Sequence, residues 1–110
     1  MSTIVPTFDA ILNKTAAHLE IPPEVIRNKN YRTRAVTHAR HITFYIAKKI
    51  AFMTDGQIAI IFDHDRVSVS LSAKKIAKQA NGDPELMNRI TGIITELKTP
   101  SNELHSKVSG

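Results

Sequence analysis

Cysteine and tryptophan are both missing from this 110-residue chain, and aromatic residues of any kind make up 5% of it. Without cysteine there are no disulfides and no thiolate chemistry, which is compatible with a reducing compartment. With so few aromatics, the interior has to be built mostly from Ile, Val, Leu and Ala. Gly and Pro are also scarce, at four and five residues, and a hydrophobic content of 42% supports a folded globule. No apolar run approaches the ~20 residues that a membrane-spanning helix needs. The opening "MSTIVPTFDAILNK" lacks the basic segment and apolar run of a secretory signal. A cytoplasmic location with no membrane partner is therefore expected.

Acid is absent from a long internal stretch. Between Val25 and Thr54 there is no Asp or Glu, while Arg27, Lys29, Arg32, Arg34, Arg40, Lys48 and Lys49 all fall there. From Arg27 to Lys78, eleven Lys or Arg stand against three Asp, a balance of +8, whereas the remaining residues carry four basic and seven acidic groups, a balance of −3. A basic block of this kind points to a polyanionic partner. Several enzyme signatures are missing as well: no Walker-type loop, no glycine-rich dinucleotide turn and no HExxH. His38 and His41 are three apart on an expected helix, but no Cys and no acid within a turn joins them. No metal site, cofactor or catalytic activity is expected.

What is present is helical periodicity broken by clear stop and start signals. "TFDAILNKTAAHLE" places Phe8, Ile11, Leu12, Thr15, Ala16 and Leu19 on one face. Pro23 in "IPPEVIRN" starts a short helix ending near Asn28. "NKNYRTR" is polar, basic and without periodicity, so it reads as a loop. A long helix is expected from Val36 to Phe52, with Val36, Ala39, Ile42, Thr43, Ile46, Ala47 and Ile50 as its apolar stripe. Thr54 with Gln57 is a capping box that opens a further helix ending at Phe62.

The segment "VSVSLS" alternates with the period of a strand, but Val69, Ala73, Ile76, Ala77 and Ala80 carry a helical stripe through "SAKKIAKQA", where the alternation has already failed. A single helix explains the whole segment, with Asp63 or Asp65 as its cap and Asn81 and Gly82 as its end. Asp83 and Pro84 open a last helix with Leu86, Ile90, Ile93, Ile94 and Leu97 on its apolar face. The expected organisation is a single all-α domain over residues 1–99, with a helix-turn-helix at about 54–81, and a flexible tail at 100–110.

In a helix-turn-helix the second helix presents its N-terminal residues to the major groove of DNA. His64, Asp65, Arg66, Val67, Ser68 and, one turn on, Ser72 are the candidate contacts there. Arg66 can donate a bidentate pair to guanine or hold a phosphate, Val67 can pack on a thymine methyl, and Ser68 can bond a base or a phosphate. Arg32 and Arg34 in the basic loop can enter a minor groove, and Arg40 is expected to face the DNA backbone from the first turns of the long helix.

The text "RTRAVTHARHITFYI", then "TDGQIAIIF" and "DHDRVSVSLSAKKI", resembles the C-terminal DNA-binding domain of the bacterial replication initiator DnaA, a helix-turn-helix domain of the Trp-repressor-like class. The resemblance covers about Val25 to Leu97. It implies that Arg32 lies in a minor groove, that Arg34 and Arg40 hold the DNA backbone, and that Asp65, Arg66, Val67 and Ser68 form the major-groove reading set. Three departures stand out: the turn after Phe62 is one residue shorter and lacks Gly-Gly, His64, Arg66 and Val67 differ from the family's residues, and Asp55 and Gly56 replace a Leu-Pro. With its own Met1 and no nucleotide-binding module, the chain is expected to be a stand-alone, divergent relative that binds double-stranded DNA selectively and regulates transcription or replication. The alternative is a non-catalytic helical adaptor that meets a protein partner through the surface around Asp55, Gly56 and Asp65. The sequence leaves the oligomeric state open.

Overall fold

A computed structural model describes residues 5–98. The tail expected at 100–110 lies outside the described residues. Six helices follow one another: α1 (Phe8–Leu19), α2 (Pro23–Arg27), α3 (Arg34–Ile50), α4 (Asp55–Phe62), α5 (Arg66–Gly82) and α6 (Pro84–Lys98), with no strand among the described residues. The alternating "VSVSLS" segment lies inside α5, where Val69, Ala73, Ile76 and Ala80 are buried. A strand would have placed Val67, Val69 and Leu71 on one face; instead Val69 is inside while Val67 and Leu71 are outside.

The helix boundaries follow from side chains that satisfy otherwise unpaired amides. Thr7 Oγ1 accepts from Ala10 N and caps α1. At α4, Thr54 Oγ1 accepts from Gln57 N while the Gln57 side chain accepts from Thr54 N, the reciprocal pair expected from the sequence. Of the two aspartates that could cap α5, Asp65 does so, its Oδ2 accepting from Ser68 N at 3.1 Å. Asp83 Oδ1 accepts from Glu85 N and Leu86 N at the start of α6.

Two expected boundaries shift. The long helix α3 spans Arg34–Ile50 rather than Val36 to Phe52, because Thr33 Oγ1 accepts from Val36 N and starts it two residues early. Arg34 is thereby a helical residue and not part of the loop. At the other end of α3, Phe52 takes a left-handed φ of 57° and Met53 N donates to Ala47 O, which turns the chain sharply into α4. In α5, Asn81 and Gly82 are its last helical residues and not the stop beyond it.

The core forms around α3, which packs against each of the other five helices. Phe44 from α3, Phe62 from the end of α4 and Phe8 from α1 meet edge to face, with ring centroids 5.0 Å apart for Phe44 and Phe62 and 5.3 Å for Phe8 and Phe62. This aromatic knot fixes where α4 ends. The turn that follows is therefore held at a set place on the surface, and α5 leaves it with Val69 and Ile76 packed into the same core.

Phe52 is 75% exposed and left-handed, a conformation that costs a residue with a side chain ~1–2 kcal/mol. Replacing it by glycine removes that cost and adds ~0.5–1 kcal/mol of unfolded-chain entropy. Phe52→Gly is thus expected to stabilise the fold by about 0.5–1 kcal/mol, read as a higher urea midpoint with an unchanged m-value.

Candidate nucleic-acid interface

The basic loop between α2 and α3, Asn28 to Thr33, has no buried side chain of its own, so its shape must come from elsewhere. It comes from Arg40. Only 4% of this residue is exposed, and its guanidinium points back under the loop. Nε donates to Ile26 O at 2.9 Å, and Nη2 donates to Asn28 O at 2.9 Å and Tyr31 O at 3.1 Å. The reading of Arg40 as a surface cation facing the DNA backbone does not match this placement: its donors at Nε and Nη2 are committed to main-chain carbonyls. Burial, and next the neighbouring Arg32, push its pKa down, but a guanidinium keeps its proton far above neutrality. Within the loop, Asn28 Oδ1 accepts from Asn30 N and Tyr31 N donates to Asn28 O, closing a compact turn.

The loop is also tied to the helix-turn-helix. Lys29 Nζ lies 2.6 Å from Asp63 Oδ2. Asp63 is the left-handed residue that ends α4, at φ 56°, and the Lys29 ammonium that donates to its carboxylate holds it below the usual carboxylate range. His64 is half-buried, its Nδ1 3.1 Å from Phe62 O and its ring edge-on to Phe44 and Phe62. One cleft brings Lys29, Arg32 and Arg40 together with Asp63, His64 and Asp65. The two parts that the sequence separates by some thirty residues therefore share one side of the molecule.

From that side the start of α5 projects. Arg66, Val67 and Ser68 are exposed, and Ser72 is half-buried one turn further on. The stem of Arg66 runs over the first turn of α4, its Cδ only 3.6 Å from where a β-carbon on Gly56 would sit. Asp65 spends one carboxylate oxygen on its capping bond. Asp55, in the first turn of α4, is ion-paired to Lys48 Nζ at 2.7 Å, which neutralises it locally.

A second groove runs between the first half of α3 and α5. Arg32, Arg34, His38 and His41 line one wall, and Lys75 and Gln79 the other, with no carboxylate among them. Lys75 lies seven residues, two helical turns, after Ser68, further down the same helix. His38 and His41 border this basic groove. Burial and then Lys75 push both imidazoles down, His41 to about 4, with Arg40, His38 and His64 adding to the shift. Both rings are thus neutral at pH 7. No group of three or more His, Asp or Glu suited to a metal occurs among the described residues.

The family model described as bacterial dnaA protein helix-turn-helix matches residues 8–76. The chain is 29% identical to the chromosomal replication initiator protein DnaA of Campylobacter jejuni over 85 residues, which is 76% of this chain and 19% of that protein. It is 26% identical to the Deinococcus deserti protein of the same name over 93 residues, 84% of this chain and 20% of that one. The chain thus spans about a fifth of the length of these relatives.

Two outcomes test the site. Arg40→Ala strips donors from three carbonyls and is expected to lower stability by about 2–4 kcal/mol, with faster tryptic cleavage at Lys29 to Arg34. For His41 the sign is set by a folded pKa below its unfolded value of 6.5. Its contribution is complete above pH 6.5 and is lost as pH falls toward 4. Discounted for its partial exposure, about 1–2 kcal/mol should disappear between pH 7 and pH 4.5, and urea titrations of His41→Asn should show that much less pH dependence.

Proposed function

The chain belongs to the family of bacterial DnaA helix-turn-helix domains, and on that premise we propose that it binds double-stranded DNA with sequence selectivity. In this reading α5 enters the major groove by its N-terminal turns while the loop carrying Arg32 reaches the adjacent minor groove. The observation that carries it is the shared cleft of Arg32, His64 and Asp65, which sets the basic loop beside the exposed start of α5. A residue in the loop and one in the helix can then touch neighbouring grooves of one duplex.

The roles divide by chemistry. Arg66 donates to guanine, and Val67 and Ser68 meet adjoining base edges. Arg34, at the first turn of α3, and Lys75 face phosphates. Arg40 acts from below, as the residue that positions Arg32. His64 holds the turn through its ring contacts, and Asp65 orients the helix start through its cap. Ser72, half-buried, meets the groove wall. No reaction is assigned; the role is that of a regulator of transcription or replication in the cytoplasm. Replication initiation itself is not carried over from relatives of which the match spans only about a fifth. The pairing of Asp55 with Lys48 favours DNA over an adaptor that would present Asp55 to a protein.

Selection from random duplexes at two salt concentrations tests the reading. An enriched motif is expected, with log affinity falling against log salt at about −0.9 per neutralised phosphate; a flat response and no motif would overturn it. Arg66→Ala should flatten preference at one or two base pairs, by about 1–3 kcal/mol of discrimination, as read by fluorescence anisotropy on single-base variants of the selected site.

A further inference from the structure

The face of α5 directly opposite its buried stripe is occupied by Val67, Leu71, Lys74 and Lys78, at spacings of four, three and four. Val67 is 59% exposed and Leu71 61%. Both stand outside a helix that buries Val69, Ala73, Ile76 and Ala80 on its other side. The ridge is thus apolar over its first two turns and cationic over the next two. Arg66, Lys74, Lys75 and Lys78 make α5 basic throughout, and no acid lies within it.

A polyanion whose interior edge carries apolar groups matches that order. The major groove of DNA is such a surface: phosphates form its rims, and thymine alone among the bases places a methyl group on its floor. We infer that Val67 and Leu71 together read thymine methyl groups at neighbouring base pairs, and that Leu71 is a specificity-determining residue alongside the reading set at the helix start. Lys74 and Lys78 then lie one and two turns further along the same ridge, placed for the phosphate rim where the helix leaves the groove. The inference rests on the reading of α5 as the major-groove helix. Thr, Ser or Asn at position 71 would offer a base hydrogen-bonding groups; Leu offers only contact with another apolar group, so the recognised feature is a methyl and not a donor or acceptor.

The test uses deoxyuridine, which lacks the 5-methyl group and keeps every hydrogen-bonding atom of thymine. Each thymine of the selected duplex is replaced singly. The wild-type protein is expected to lose about fourfold in affinity at one or two positions, equivalent to ~0.8 kcal/mol per buried methyl. At one of those positions Leu71→Ala should bind thymine and uracil alike, with Val67→Ala blind at the other. Circular dichroism of both variants checks that α5 remains helical, which alanine favours. Equal binding of every uracil duplex by the wild-type protein would overturn the inference while leaving DNA binding intact. Sensitivity that survives unchanged in Leu71→Ala would remove Leu71 from the reading set. Absence of salt-dependent binding to any duplex would overturn the functional reading itself.

Discussion

Arg40 joins two kinds of structure that do not otherwise meet: an apolar interior built on α3 and a polar loop with nothing to bury. A loop of Asn, Lys, Tyr and Arg has no hydrophobic reason to keep one conformation, and its ordering costs about 1–2 kcal/mol per residue in backbone entropy. Three hydrogen bonds from one buried guanidinium offset part of that cost. Because the acceptors are carbonyls and not carboxylates, the loop is ordered without being neutralised. Its field stays positive beside the start of α5, the condition that any anion-binding use of this surface requires.

The second constraint is the aromatic knot of Phe8, Phe44 and Phe62. It fixes the end of α4, and the left-handed Asp63 then reverses the chain at once. With the turn this short and Val69 and Ile76 packed in the core, the exposed face of the first two turns of α5 is set by that packing. The Lys29 to Asp63 pair, both ends well exposed, adds little stability by itself. It selects one approach of the loop to the turn among those the backbone permits.

Much of the helical order was legible because it is written locally. Thr54 with Gln57 and Asp83 before Pro84 name their own boundaries, the cap of α5 was narrowed to Asp63 or Asp65, and the buried stripe of α5 overruled the alternating serines by running longer than they do. The burial of Arg40 was not legible, since a cation among Ile42, Ala39 and Thr43 reads as the polar edge of an amphipathic helix; only the carbonyls of another element reveal where it points. The Lys48 to Asp55 pair was hidden for a related reason. It joins two helices across the Phe52 turn, whose left-handed geometry no glycine announces. In the site, the charge of the loop was evident from composition, whereas its meeting with Lys75 and His41 depends on how α3 packs on α5.

Beyond the side-chain ties of Asn28 and Lys29, scaffolding by main-chain carbonyls leaves the outward side chains of residues 30–32 outside the support they receive. Arg40 recognises Asn28 and Tyr31 through atoms that every amino acid possesses. The segment therefore behaves as an exchangeable cassette: its text can be rewritten, by drift or by design, while its trace is conserved by a residue eight positions beyond it. A protein built this way can change what it recognises faster than it changes its fold.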